Sequence, residues 1–279
     1  MLASPHPISC RVSGSKHRLS SRSTFIAVYL NVLVGLASAQ SAVSGDLHDA
    51  VRANDAERVI LLLKAGKAID ETDFMLGTAL HVAVAQGSVP LAKILISHGA
   101  DIEAPSEDRG SKAIHLAANF GDVEMLNLLL DAGADIEAQD QRGQTPLLLA
   151  AATNNPKVVE VLIARGANKE ARESGEGMTP LMRASRLGFL EIAVVLVENG
   201  ANINAVNNAG RSPLKLAATR SSYINVGGGA LIVYLVNNGA DLNMKESAGF
   251  TALSWAARDS HDPFYNKIAD LLRKLGAHE

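Results

Sequence analysis

The dipeptide Gly-Ala recurs at Gly99-Ala100, Gly133-Ala134, Gly166-Ala167, Gly200-Ala201, Gly239-Ala240 and Gly276-Ala277, at intervals of 34, 33, 34, 39 and 37 residues. Gly66-Lys67 lies 33 residues before the first. A fixed period of this length marks a stack of supersecondary units rather than one closed core. A unit this short cannot bury its own apolar face, so each depends on its neighbours. A stack of that kind offers an extended surface in place of a cleft.

Aligning the units on the glycine brings the rest into register. The third reads Gly110-Ser111-Lys112-Ala113-Ile114-His115-Leu116-Ala117-Ala118, then Gly121 to Leu130, then Gly133-Ala134-Asp135-Ile136-Glu137-Ala138. The first block predicts a short helix in which Ala117 and Ala118 allow a neighbour to approach closely. The second predicts a longer helix with Val123, Leu126, Leu129 and Leu130 on one face. Gly133 follows its last turn, where a left-handed residue ends a helix without steric cost.

Several units open their first helix in a common way: Thr145-Pro146-Leu147, Thr179-Pro180-Leu181, Ser212-Pro213-Leu214, Thr78-Ala79-Leu80-His81 and Thr251-Ala252-Leu253. Thr or Ser caps the helix, and Pro just inside it forfeits an N–H that has no partner there. This pattern resembles the ankyrin repeat. The match is imperfect: the fourth position is His only at His48, His81 and His115, and Leu148, Met182, Lys215 or Ser254 elsewhere. The resemblance implies an all-α, ankyrin-type solenoid of about seven helix-turn-helix repeats with β-turn tips. The units are 45–72, 73–104, 107–138, 140–172, 176–205, 207–244 and 247–279. The first and last carry polar outer positions, so the array reads as capped at both ends.

Residues 1–39 have a different chemistry. Arg11, Lys16, Arg18 and Arg22 occur there without an acid, followed by the twelve-residue run Phe25 to Leu36 and then Ala37-Ser38-Ala39. A basic stretch, a short apolar core and Ala-x-Ala describe a secretory signal peptide, with cleavage expected between Ala39 and Gln40 and a short linker over 40–44. The run is short of the ~20 residues that span a bilayer, so membrane contact is expected only in transit. An uncleaved anchor, a mitochondrial presequence or an upstream-annotated start are the competing readings. The expected location is exported: periplasmic in a Gram-negative organism, otherwise secreted. The single cysteine, Cys10, falls inside this segment, so the remainder holds no thiol and no disulfide.

Four of the 26 basic residues and none of the 29 acidic ones lie in 1–39, which leaves 22 against 29, a charge of −7. An acidic body argues against nucleic-acid or anionic-membrane binding. Neither Gly-x-Ser-x-Gly nor His-Glu-x-x-His occurs, and Gly227–Gly229 lacks the strand and Lys-Ser/Thr of a phosphate loop. His48, His81 and His115 recur at a structural position of the repeat, and the pairs Asp101/Glu103 and Asp135/Glu137 at its acidic turn. No catalytic, cofactor-binding or metal-binding residues are expected, and the chain reads as a non-catalytic monomer.

The resemblance implies binding of another protein through turn tips and first helices, which line a concave face. The residues at those positions are Phe74, Met75, Arg109, Phe120, Arg142, Gln144, Met178, Arg186, Leu187, Arg211, Arg220, Phe250 and Arg258. Arginines interleaved with aromatic and Met side chains are the residue types that dominate binding energy, and they suit an acidic partner. Extra residues near 221–229 and 260–264 would form a ledge bearing Tyr223, His261, Phe264 and Tyr265, or are loop drift that costs little entropy. Three roles fit such a module: inhibiting a toxin as a periplasmic immunity protein, stabilising a periplasmic enzyme, or acting as a secreted effector.

Overall fold

A computed structural model describes residues 46–73, 77–219, 228–258 and 262–278. These all fall within one compact unit, Gly45–Glu279. The signal-peptide reading, with Ala39 and Gln40, lies outside the described residues. So do Phe74, Met75, Arg220, Tyr223 and His261.

Among the described residues seven helix pairs follow one another: α1 (Asp46–Arg52) with α2 (Ala56–Lys64), α3 (Ala79–Ala85) with α4 (Val89–Ser97), α5 (Ala113–Phe120) with α6 (Val123–Asp131), α7 (Pro146–Ala150) with α8 (Pro156–Ala164), α9 (Pro180–Leu187) with α10 (Leu190–Glu198), α11 (Pro213–Ala218) with α12 (Gly228–Asn237), and α13 (Ala252–Ala256) with α14 (Pro263–Lys274). No strand occurs among the described residues, only an isolated bridge between Asp73 and Gly77. First helices stack on first helices and second helices on second helices, in two layers. No described helix is long and apolar enough to cross a membrane.

Each layer has its own reason to form. The side chains of Thr145, Thr179, Ser212 and Thr251 accept the N–H of Leu148, Met182, Lys215 and Ser254 and start the short first helices. Proline stands in the first turn at Pro146, Pro180 and Pro213. Four residues after the proline position, Ala83, Ala117, Ala150, Ala184, Ala217 and Ala256 are all buried. A methyl group there sets the spacing of the stack, and a larger side chain would overpack it by about 1–3 kcal/mol. The second helices bury Leu95, Leu129, Leu162, Leu196, Leu235 and Leu272, each four residues before a glycine of the period. Truncating such a leucine to alanine costs about 2–5 kcal/mol.

The Gly-Ala dipeptide now has a cause. Gly133 adopts φ +96°, and the Ala134 N–H turns back to donate to the Leu129 carbonyl at 2.9 Å. That is the six-to-one bond that closes a helix on a left-handed residue, and Ala134 is then buried against the next unit. The same bond joins Ala100 to Leu95, Ala167 to Leu162, Ala201 to Leu196, Ala240 to Leu235 and Ala277 to Leu272. α14 begins at Pro263, capped by Asp262, whose Oδ1 accepts from the Phe264 N–H at 2.8 Å. In α12, Gly228 and Gly229 form the first turn rather than a loop.

The acidic turns are brackets between units. Glu103 Oε1 accepts the N–H of Asp135 at 2.8 Å, Glu137 Oε1 that of Asn168 at 2.7 Å, and Glu170 Oε1 that of Asn202 at 2.8 Å. Asp70 serves Asp101, and Asn204 serves Asp241, in the same way. Asp101 and Asp135 meanwhile accept the N–H groups of Glu103 and Glu137 within their own turns. Backbone bonds tie the tips as well: Gln141 N–H to Arg109 O, Ser174 N–H to Arg142 O, Asn208 N–H to Glu176 O and Ser247 N–H to Ala209 O. Each unit is thus registered on the next by polar bonds at the turn as well as by apolar packing.

Candidate protein-binding surface

Helical geometry decides which first-helix side chains stay uncovered. Residues three apart share a side of the helix, and two rows run across the layer. One row is Val82, Leu116, Leu149, Arg183, Leu216 and Trp255. The other is Ala85, Asn119, Ala152, Arg186, Thr219 and Arg258. Leu116, Leu149, Arg183 and Trp255 are half-buried, while Val82 and Leu216 are covered. Asn119 and Arg258 are exposed. The surface therefore has an apolar, small-residue floor in units three and four and a charged, aromatic stretch in units five to seven.

The arginines expected here separate into engaged and open groups. Arg186 donates from Nη1 to Glu176 Oε1 at 3.0 Å, and Arg183 forms an ion pair with Glu173. Arg211 donates from Nε to Glu246 Oε2 at 2.8 Å. Arg109 stands at its tip 3.7 Å from Asp108, with both side chains largely exposed. Arg142 and Arg258 are exposed and form no ion pair with a described residue. Phe120 and Leu187 are half-buried at the ends of their first helices. Gln144 is half-buried, and its carbonyl serves the previous unit.

Met178 corrects the sequence reading. Its place at a turn tip predicted exposure, yet it is fully buried and packs with Met182, Ala205 and Leu216. Beside the turn bonds, the fifth and sixth units are joined by apolar contact, and Met178 belongs to that core.

A polar clasp between repeats is built from the third residue of the first helix, the fourth position of the opening motif. His81 Nδ1 accepts the N–H of Thr78 at 3.2 Å, so the proton sits on Nε2, which reaches the Ser111 carbonyl of the next unit at 2.9 Å. His115 repeats this, with Lys112 N–H on Nδ1 and the carbonyls of Gln144 and Ala138 on Nε2, each at 3.0 Å. His48 Nε2 reaches Gly77 O at 3.0 Å. Burial pushes all three imidazoles below their ordinary pKa, with the bonds to backbone carbonyls opposing it. The structural position of these histidines thus ties the start of the first helix to the turn of the following repeat.

In the sixth unit Lys215 stands in the histidine's place. Its Nζ donates to Phe250 O at 2.9 Å, Thr251 O at 3.0 Å and Glu246 Oε1 at 3.1 Å, with both charged side chains almost wholly buried. Burial lowers the lysine pKa, and the bond to Glu246 opposes that shift. For Glu246, burial acts to raise the pKa, but the hydrogen bonds from Arg211 and Lys215 bring it below the usual value. Around this pair sit Phe250 and Trp255, edge to face at 6.2 Å. The structure thus gathers Arg211, Phe250 and Arg258 about Trp255, which the sequence reading passed over. Its alignment with Leu116 and Leu149 in the uncovered row was the available signal.

A family model described as "Ankyrin repeats (3 copies)" matches residues 47–140 and 114–207, together more than half of the chain. The chain belongs to the ankyrin repeat family. Among curated relatives, human protein phosphatase 1 regulatory subunit 27 is 39% identical over 75 residues, which cover 27% of this chain and 49% of that protein. An ankyrin repeat protein of fowlpox virus (strain NVSL) is 35% identical over 68 residues, 24% of this chain and 17% of that one. The chain thus spans half or less of the curated relatives it matches. Among solved structures, the ankyrin repeat domain of Bcl-3, a member of the IkappaB protein family, superposes with a TM-score of 0.67 at 28% identity. That match covers 82% of this chain and 98% of Bcl-3's. The repeats therefore place this chain among proteins whose ankyrin domains serve protein–protein interaction.

Proposed function

We propose that this protein is an exported, non-catalytic binding module that holds one protein partner against the uncovered side of its first helices. The observation that carries the reading is the pair of rows running across units three to seven. They combine half-buried Leu116, Leu149 and Trp255 with the exposed guanidinium of Arg258. Apolar anchors beside arginine are the composition of binding hot spots. Units that register on one another through buried clasps and turn brackets hold these rows in fixed relation, which reduces the ordering cost of binding. The test uses tagged full-length protein isolated from its native compartment, with bound proteins identified by mass spectrometry. Replacing Leu116 and Leu149 together by Glu should abolish recovery of the partner and leave the helical circular dichroism unchanged. Undiminished recovery overturns the reading.

Export is part of the proposal and rests on the basic, apolar, Ala-x-Ala order of residues 1–39. Protein recovered outside the cytoplasm should begin at Gln40, and a start at Met1 overturns cleavage. Between the inhibitor and stabiliser roles, the relative named as a phosphatase regulatory subunit favours an enzyme as the partner. A neighbouring gene for an exported enzyme supports that role, and one for an exported toxin supports immunity.

A further inference from the structure

We infer that the cation–aromatic cluster joining the sixth and seventh units takes an acidic segment of a partner protein. One carboxylate would pair with Arg211 and another with Arg258, with an apolar side chain between them against Trp255. The inference rests on the reading that the first-helix side is the binding face. Three cations lie within 6 Å of the Trp255 ring: Lys215 at 5.2 Å, Arg258 at 5.5 Å and Arg211 at 5.9 Å. Among the described residues their single carboxylate neighbour in the cluster is Glu246. Lys215 commits its three donors to Glu246, Phe250 O and Thr251 O, and both members of that ion pair are almost wholly buried. The lysine and glutamate charges cancel inside, so the uncompensated positive charge is on Arg211 and Arg258.

Both guanidinium groups keep N–H donors that no described residue takes up. Arg211 spends Nε on Glu246 and has no Nη acceptor among the described residues. Arg258 is exposed and lies over the faces of Phe250, at 4.9 Å, and Trp255. A guanidinium placed over a ring and held by no carboxylate keeps N–H donors free, and they match the two oxygens of a carboxylate. Stacking also fixes the side chain in advance, so less freedom is lost on binding. The whole chain carries a net charge of −3, which makes this cluster a local inversion of sign. Two open cations suit a pair of carboxylates. A nucleic acid would meet the acidic remainder of the protein along its length.

Trp255 is the only tryptophan of the chain, so its fluorescence reports on this site alone. Full-length protein would be titrated with a Glu-rich peptide carrying one central Phe, with the same peptide bearing Gln for Glu, and with a single-stranded oligonucleotide. A saturable emission change is expected with the Glu peptide. Binding should weaken about tenfold or more with the Gln peptide, and likewise in Arg258→Gln. Lys93→Gln, on the second-helix layer, should leave it unchanged. Arg211→Gln removes a partner of Glu246 as well, so Arg258→Gln is the deciding variant. No saturable change, equal binding by Arg258→Gln, or tighter binding of the oligonucleotide overturns the inference. If Arg258→Gln leaves partner recovery intact while the Leu116 and Leu149 double variant abolishes it, the acidic segment is excluded and the binding face stands.

Discussion

The first three junctions of the stack and the last one are closed on equivalent backbone carbonyls by different donors. His48, His81 and His115 reach Gly77, Ser111 and Gln144, and Lys215 reaches Phe250. Each acceptor immediately precedes the cap position of the following helix. Between these two regions, Leu148 and Met182 occupy the donor's place and the junctions close on apolar contact. The comparison separates what the fold requires from what it tolerates. It requires a filled position between the units, and a neutral ring, an ion pair or a hydrocarbon can fill it. The choice decides cost and response. An imidazole is satisfied by itself, whereas an ammonium needs a buried counter-ion, and the glutamate at position 246 supplies one.

The largest effect should come from breaking the ion pair on one side. Glu246→Ala leaves the Lys215 ammonium buried without its carboxylate and frees Arg211 from its partner. Losing one member of a buried pair costs about 3–5 kcal/mol. Equilibrium unfolding in urea should show this loss, with hydrogen exchange rising first in α11 and α13. Combining it with Lys215→Met should recover most of the loss, because Met182 fills the same position in the preceding unit without a charge. If Glu246→Ala alone is neutral, the last junction is not held by this pair.

A smaller effect is expected at a histidine junction. His115→Leu keeps the volume, as Leu148 does one unit later, but leaves Lys112 N–H, Gln144 O and Ala138 O without their bonds. Unsatisfied buried groups of this kind cost about 1–3 kcal/mol. His115→Gln, which can donate to one of those carbonyls, should lose less, and denaturant midpoints would rank the two.

Most of the scaffold was legible because each unit repeats the same local rules. The Gly-Ala dipeptide announced the helix ends, Thr-Pro announced the first helices, and the leucine four residues before each glycine announced the core. The surface was harder to read. Tip position predicted exposure for Met178, but the fifth and sixth units have no polar clasp and that side chain fills the gap. Position alone also made Arg186 and Arg211 open cations, yet Glu176 and Glu246 come from elsewhere in the chain to meet them. Trp255 was missed because its meaning depends on Arg211 and Arg258, which converge on it only in the fold. Long-range pairing of that kind leaves no trace in a repeat period.

Acid should distinguish the two regions in time order. The three imidazoles have folded pKa values below the ordinary 6.5, so the unfolded chain binds their protons first. The stability tied to their neutral form is whole above pH 6.5 and drains as pH falls toward the folded values. Glu246 has a folded pKa below 4.5, so its contribution is whole above that pH and is lost as pH falls through the folded value. Amide exchange followed from pH 7 to 4 should therefore show α1 to α6 losing protection before α11 and α13. Simultaneous loss would mean that the donors do not set the response, and a pH-insensitive His48/His81/His115 triple Leu variant would confirm that they do.

The smallest effect tests whether burial, rather than the existence of a cross-repeat bond, makes these junctions matter. Arg165 reaches back from the end of α8 to Asp131 at 2.8 Å and Asn127 at 3.0 Å on α6. The geometry is as good as that of Lys215 with Glu246, and the link also joins neighbouring units. Its two side chains are 40% and 65% exposed, against 2% and 3% for the buried pair. Water and salt screen the exposed charges, and two long side chains lose freedom to hold one geometry, so such a pair contributes about 0–1 kcal/mol. Asp131→Asn should lower the denaturant midpoint barely or not at all, and any loss should shrink in 0.5 M salt, where the Debye length falls to about 4 Å. A loss comparable to that of Glu246→Ala would show that the second-helix layer bears the stack through its surface charges. The contrast drawn between histidine and lysine junctions would then be secondary to it.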